Sequence, residues 1–296
     1  MKAMILAAGL GTRLQPLTDE RPKALVPVAN KPAILWNIEY LKGFGATRLI
    51  VNTHHHHTQI LDFLQEGHPF GIGIETRVEP EILGTGGGVK NTEDFWDDEP
   101  FVVTNSDVMT DIPLDEAYEH HQKSGRIATL ILHDHPPYNK IRVDSRGCIT
   151  EIPRAYDNKG LAFSGIHIIH PELLRHIPAN GFSDIVDCYR QLIDADRPVG
   201  AYVAEGHYWY DIGGLDAYLL ANRELAPEAF TLGPGTRVHP AARLDDWAVI
   251  GPGCEIGKHA VVARSVLWEG VALKEGERVA DCVLTPRHTV CSAPAL

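Results

Sequence analysis

The stretch LAAGLGTRLQPLTDERPKALVPVANKP, residues 6–32, decides how this chain is read. It begins at the end of an apolar run, Lys2–Leu6, that reads as a first buried strand and passes at once into glycine. Gly9 and Gly11 free the backbone for positive φ and for close approach to a ligand. Successive N–H groups in such a loop form a concave site for an anion. Two familiar phosphate loops are excluded: no Gly-Lys-Ser/Thr ending follows, and Leu14 stands where the dinucleotide fingerprint needs its third glycine. Arg13 sits beside the glycines, and Lys23 follows in the proline-stiffened run Arg21–Pro27. Arginine suits bidentate contact with phosphate, and lysine supplies a compact charge.

Up to about Leu225 short apolar runs alternate with amphipathic stretches. Strands are expected at Leu49–Val51, Gly73–Val78, Phe101–Thr104, Ala128–His133, Lys140–Asp144, Gly165–Ile169 and Val199–Val203. Helices are expected at Ile34–Phe44, Thr58–Gln65, Leu114–Ser124 and Ile185–Asp194, with the run His54–His57 as a solvated helix start. Strands alternating with helices imply an α/β protein with a mainly parallel, Rossmann-like sheet. Ligands of such sheets bind beyond the carboxyl ends of the strands.

After Pro227 the pattern changes. Leu232, Val238, Leu244, Ile250, Ile256, Val262 and Trp268 recur every six residues, and small residues precede most of them by two places, at Thr236, Ala242, Ala248, Cys254 and Ala260. A six-residue period fits neither a helix nor an alternating strand; it predicts a short C-terminal left-handed β-helix of hexapeptide repeats. The expected organisation is a catalytic domain over residues 1–226 and a solenoid over 232–285, followed by a loose tail, Pro286–Leu296. With no chemical cluster of its own, the solenoid reads as a regulatory module or a homo-oligomer contact.

Residues 6–32 as a whole resemble the signature of the sugar-1-phosphate nucleotidylyltransferase family, whose fold is the nucleotide-diphospho-sugar transferase type. The resemblance implies that Ala8, Gly9, Gly11 and Thr12 hold a nucleoside triphosphate, with Arg13 near its β- and γ-phosphates and Lys23 at the α-phosphate under attack. Glu81–Val89 resembles the family's second glycine loop, which implies nucleotide contacts at Gly84, Thr85 and Gly86. The segments Asn105–Asp107, Phe163–His167 and Tyr208–Gly214 resemble later family motifs. They imply a Mg²⁺ site on Asp107 and Asp211, and substrate contacts at Asn105 and Gly165, the latter against the sugar ring. The sugar side departs from the pattern. Where many members carry Glu-Lys-Pro, this chain reads Ile152-Pro-Arg-Ala-Tyr156, and Tyr138-Asn139 replaces a Tyr-Gly pair. Arg154 and Asn139 are taken as substrate contacts there, with Lys140 and Lys159 as alternative cations. The implied activity joins an NTP to a sugar 1-phosphate, giving an NDP-sugar and pyrophosphate, on the pattern of mannose-1-phosphate guanylyltransferase. Alternatives are uridylyl transfer to glucose or N-acetylmuramic acid 1-phosphate, a heptose-1-phosphate nucleotidyltransferase, and a non-catalytic regulatory subunit of the same fold.

Composition narrows the partners. A formal net charge of −12 argues against general nucleic-acid binding. The five cysteines, Cys148, Cys188, Cys254, Cys282 and Cys291, are scattered and lack a CxxC pair, which argues against a disulfide framework or a zinc site. With no apolar stretch near the roughly 18 residues needed to span a membrane, and no signal-like start, the expected location is the cytoplasm, away from membranes.

Overall fold

A computed structural model describes residues 1–65 and 70–292. The chain divides into two compact units, residues 1–10 with 37–209, and residues 11–36 with 210–296.

The first unit is built on a seven-stranded sheet. Its spatial order is Gly200–Val203, Ala128–His133, Ala162–Ile169, Phe101–Asn105, Lys2–Ala7, Arg48–Thr53 and Gly73–Val78. Only Ala162–Ile169 runs antiparallel to its neighbours; the remaining pairings are parallel, as the alternation of strands and helices predicts. Every residue of Ala128–His133 is buried, as expected of a strand covered on both faces. The helix Ile185–Asp194 turns Ile185, Cys188, Tyr189 and Leu192 inward, the one-three-four spacing of an amphipathic helix. Asp184 caps it by accepting from the Val186 N–H at 2.8 Å.

Register decides where this sheet ends. Leu6 pairs with Asn105, Ala7 with Thr53, and Thr53 with Val78, so four parallel strands finish along one edge. Three local expectations are corrected. The strand at Lys140–Asp144 shrinks to Arg142–Val143, and the second glycine segment, read as a loop, forms a helix over Gly84–Lys90. The chain also forms a helix at Leu215–Leu225 that the apolar pattern did not single out.

The second unit contains the short turns Thr12–Leu14 and Lys23–Leu25 and a hairpin pairing Pro27–Val28 with Lys31–Pro32. Ala29 and Asn30 connect the hairpin with φ of 49° and 61°, the left-handed pair that a two-residue hairpin turn demands. From Phe230 to Leu284 the strands pair in parallel in two sheets, and the last strand, Thr289–Cys291, adds antiparallel to Cys282–Leu284. Phe230 pairs with Ala248 and Arg237 with Glu255, so the chain first meets itself 18 residues on. Glu255 then pairs with Ala272 and Val266 with Val283, a return of 17 residues. Ile250, Ile256 and Val262 of the six-residue series are buried together with Cys254, Ala260, Leu267 and Leu273.

The shortened return corrects the end of that series. With one residue fewer, Leu267 takes the core position opposite Ile250, and Trp268 points elsewhere. Leu232, at the start, is 47% exposed because no earlier coil covers it. The cysteine expectation is corrected too. Cys282 and Cys291 face each other across antiparallel strands and are joined as a disulfide, while Cys148, Cys188 and Cys254 are free. The same pairing makes Thr289–Cys291 a strand rather than loose tail; residues 293–296 lie outside the described part. Among the described residues no helix is long and apolar enough to cross a membrane.

Candidate active site

The cationic part of the site lies in the second unit. Gly11 has φ of +67°, and a Cβ there would come within 2.8 Å of Thr18 Cγ2, so glycine is required on both counts. Its carbonyl accepts from Thr18 Oγ1 at 2.9 Å and from Leu14 N at 3.0 Å, which fixes the turn bearing Thr12 and Arg13. Lys23 opens its own turn behind Pro22, and Val26 N closes it on the Lys23 carbonyl. These turns aim both cations at one carboxylate. Arg13 Nη2 lies 3.7 Å from Asp211 Oδ2, and Lys23 Nζ lies 3.7 Å from Asp211 Oδ1. Both separations exceed hydrogen-bond length, so these contacts are ion pairs. Gly213 makes room for this cluster, because a Cβ there would sit 2.4 Å from Arg13 Nη2.

In the first unit, Ala8 and Gly9 leave the carboxyl end of Lys2–Ala7. Gly9 does not have positive φ, and a Cβ on it would meet no protein atom within 4 Å, so the fold itself does not call for glycine there. Asn105 and Gly165, both named from sequence, are brought together. Gly165 has φ of +81° at a register shift of its strand, and a Cβ would lie 2.8 Å from Asn105 Nδ2. Asp107 follows in the turn after the Phe101–Asn105 strand.

The glycine-rich helix has a strong internal reason for its composition. Gly86 N and Gly87 N both donate to Ser183 O, at 2.8 and 3.1 Å, and Ser183 N donates to Leu83 O. Thr85 Oγ1 accepts from Ile185 N at 3.0 Å and reaches Asp184 Oδ1 at 3.3 Å. A Cβ on Gly84 would lie 2.6 Å from Ser183 O. Gly84, Thr85 and Gly86 thus lock this helix against the start of Ile185–Asp194.

A buried network that the sequence reading missed lies behind it. Asn52 Oδ1 accepts from Ala7 N at 2.9 Å, and Asn52 Nδ2 donates to Glu79 Oε1 at 2.7 Å. Glu79 is 1% exposed and also accepts from Leu83 N, so one carboxylate ties the first strand's end to the glycine helix. The available signal was a polar residue closing an apolar strand, in Leu49-Ile-Val-Asn52.

On the sugar side, Asn139 is 4% exposed and holds its own turn, accepting from His135 N and donating to Asp134 Oδ1. Arg154 has a side chain 79% exposed and pairs with Asp187 at 3.2 Å. Lys140 Nζ lies 4.1 Å from the Tyr156 ring centre, and burial, reinforced by Arg190, holds its pKa below the usual lysine value. A second missed feature is an imidazole cluster: His133 Nδ1 lies 3.1 Å from His207 Nε2, and His133 stacks on His135. Burial and the neighbouring imidazoles push His133 down to about 4.

Among the described residues no three His, Cys, Asp or Glu side chains form a metal cage. Mg²⁺ does not need one, since one or two carboxylates and the phosphates of a substrate complete its shell. Asp211 is a single carboxylate whose charge Arg13 and Lys23 already offset.

This arrangement of charges suits the handling of phosphates by an α/β protein. Residues 2–228 match the family model described as nucleotidyl transferase, and the chain belongs to the sugar-1-phosphate nucleotidylyltransferases, a family of enzymes. It is 30% identical to UTP–glucose-1-phosphate uridylyltransferase of Synechocystis over 98% of this chain and 88% of that one. It is 33% identical to probable mannose-1-phosphate guanylyltransferase 3 of Oryza sativa subsp. japonica, over 98% and 87%. A crystal structure of UDP-glucose pyrophosphorylase complexed with UDP-glucose shares its fold, with a TM-score of 0.65 at 20% identity, covering 75% of this chain and 97% of that one.

Proposed function

We propose that the protein is a Mg²⁺-dependent guanylyltransferase that joins GTP to mannose 1-phosphate and releases pyrophosphate. The observation that carries the reading is the Asp211 carboxylate held between Arg13 and Lys23 on the signature segment. An oxygen of the sugar phosphate attacks the α-phosphorus in line, and pyrophosphate leaves on the opposite side. Such transfers need two anions in register and their charge neutralised, rather than covalent help. Lys23 offsets charge at the α-phosphate, and Arg13 offsets it on the leaving phosphates. The amides around Ala8, Gly9, Gly11 and Thr12 receive the triphosphate, and the open space over Gly9 is consistent with backbone approach. Gly84, Thr85 and Gly86 act as a rigid wall for the nucleotide; Asn105, Asn139 and Gly165 meet the sugar, with Arg154 at its phosphate. Asp107 and Asp211 would hold the Mg²⁺, which when bound supplies further charge neutralisation to the phosphates.

Residues 1–226 are read as the catalytic domain, and residues 232–285 as a left-handed hexapeptide β-helix that offers a contact for a homo-oligomer. The returns of 18 and 17 residues, close to three six-residue steps, support that coil. The proposed location is the cytoplasm. A second reading, a uridylyltransferase acting on glucose 1-phosphate, is favoured by the Synechocystis relative. Pyrophosphate release, measured for GTP, UTP, dTTP, ATP and CTP against mannose, glucose, N-acetylmuramic acid and heptose 1-phosphates, decides between them. Turnover with GTP and mannose 1-phosphate alone supports the first reading. Silence across the panel from folded protein overturns both and favours the regulatory subunit.

A further inference from the structure

The segment that carries Lys23 is held on both sides by the C-terminal half of its own unit. Ahead of Lys23, the Arg21 guanidinium lies 4.8 Å from the Trp268 ring centre and pairs with Glu269. One residue earlier, Glu20 Oε1 accepts from Thr285 Oγ1 at 2.9 Å. Beyond Lys23, the Pro27 carbonyl accepts from the Tyr218 hydroxyl, which itself accepts from Trp268 Nε1 at 3.0 Å. The hairpin turn is fastened as well: Ala29 N donates to Asn222 Oδ1 at 2.9 Å, and Asn30 Nδ2 donates to the Ile250 carbonyl at 3.0 Å.

Trp268 joins the two sides. It is 2% exposed, with its ring under Arg21 and its N–H on the tyrosine that holds Pro27. It is available for this because the 17-residue return places Leu267, not Trp268, in the core of the coil. A cation over an indole face is attracted to the ring, more so when partly desolvated. A buried hydroxyl that both accepts and donates has its orientation fixed by its partners.

We propose that Arg21 and Trp268 are positioning residues for Lys23, so that turnover depends on a C-terminal element that supplies none of the reacting groups. The inference rests on the reading of Lys23 as a catalytic cation. A displacement near 1 Å at such a group is enough to slow chemistry by roughly a hundredfold.

The test uses the full chain, GTP with mannose 1-phosphate or UTP with glucose 1-phosphate, and the variants Arg21→Met, Arg21→Lys, Trp268→Phe and Lys23→Ala. Arg21→Met is expected to lower kcat by roughly ten- to a hundredfold, with the sugar-phosphate KM and the melting temperature unchanged. Arg21→Lys, which keeps a cation over the ring, restores most of that loss. Trp268→Phe keeps an aromatic face without the N–H and falls in between. An Arg21→Met protein with full kcat, beside an inactive Lys23→Ala protein, overturns the positioning role alone. A fully active Lys23→Ala protein overturns the catalytic reading and the inference with it. A loss of kcat that merely follows a fallen melting temperature in both Arg21→Met and Trp268→Phe assigns these contacts to stability and also overturns it.

Discussion

The Lys23 ammonium stands 3.7 Å from the Asp211 carboxylate, although the two residues are far apart in sequence. Folding has set one cation and one anion side by side where phosphates and a metal are proposed to bind. Each is then ready to exchange the other for a charged ligand. Lys23→Ala is expected to lower kcat by roughly a hundred- to a thousandfold, the scale of losing one stabilising donor at a reacting centre. The Lys23 side chain is only 12% exposed, so its removal should also lower the melting temperature modestly, while circular dichroism stays close to the parent; steady-state pyrophosphate release from the folded variant is the measurement that checks the loss.

Gly213→Ala tests the same cluster from the other side. A Cβ at this position would lie 2.4 Å from Arg13 Nη2 and 2.5 Å from Arg13 Cζ, so the guanidinium must move. The Arg13 side chain is 64% exposed, which makes the movement cheap for the fold. Activity is therefore expected to fall roughly tenfold or more through misplacement of the cation, while the melting temperature holds.

Gly88→Ala should do the reverse, damaging the fold. Its Cβ would lie 2.7 Å from Asn52 Nδ2 and 2.9 Å from Glu79 Oε1, inside a network that is buried throughout. Overpacking of a filled interior costs about 1–3 kcal/mol, readable as a lower urea midpoint at unchanged slope. A parent-like midpoint would mean that the network yields without loss.

Stability should fall on acidification over a defined window. Burial, with help from neighbouring imidazoles, pushes His121 and His133 down to about 4, and burial alone pushes His167 down to about 3. Unfolded histidine titrates near about 6.5. Above that value both states are neutral and nothing is lost. As pH falls from about 6.5 toward about 4, the unfolded chain binds protons that the folded one refuses, so stability declines. Melting temperatures at pH 7 and pH 5 should show the drop, and His121→Gln should reduce it.

Chelation separates catalysis from folding. If magnesium is held by carboxylates together with substrate phosphates, EDTA should abolish pyrophosphate release and leave the melting temperature of the free protein unchanged. Added Mg²⁺ should restore the activity. A large fall in melting temperature on chelation would indicate a structural metal instead.

Local grammar determined much of this protein. The first apolar strand, read as Lys2–Leu6, and the turn at Gly11 were legible because local hydrophobic pattern and glycine's conformational freedom suffice for them, while Gly9 has no positive φ. The helices Leu114–Ser124 and Ile185–Asp194 were legible from their periodicity, since one buried face repeats along each. Tertiary structure alone decided the rest. Gly84 and Gly86 are glycine because Ser183 crowds them, and Gly88 because Asn52 and Glu79 do, and none of these neighbours is adjacent in sequence. Asn139, nominated as a substrate contact, is occupied with His135 and Asp134 in its own turn. Cys282 and Cys291 gave no spacing signal, yet antiparallel pairing sets them opposite each other. Trp268 looked like the seventh member of a six-residue series, and one missing residue turned it from the coil's core to Arg21 and Tyr218. A sequence pattern states which side chains need burial or charge; only the closed chain, with its register and its space, states which neighbours satisfy them.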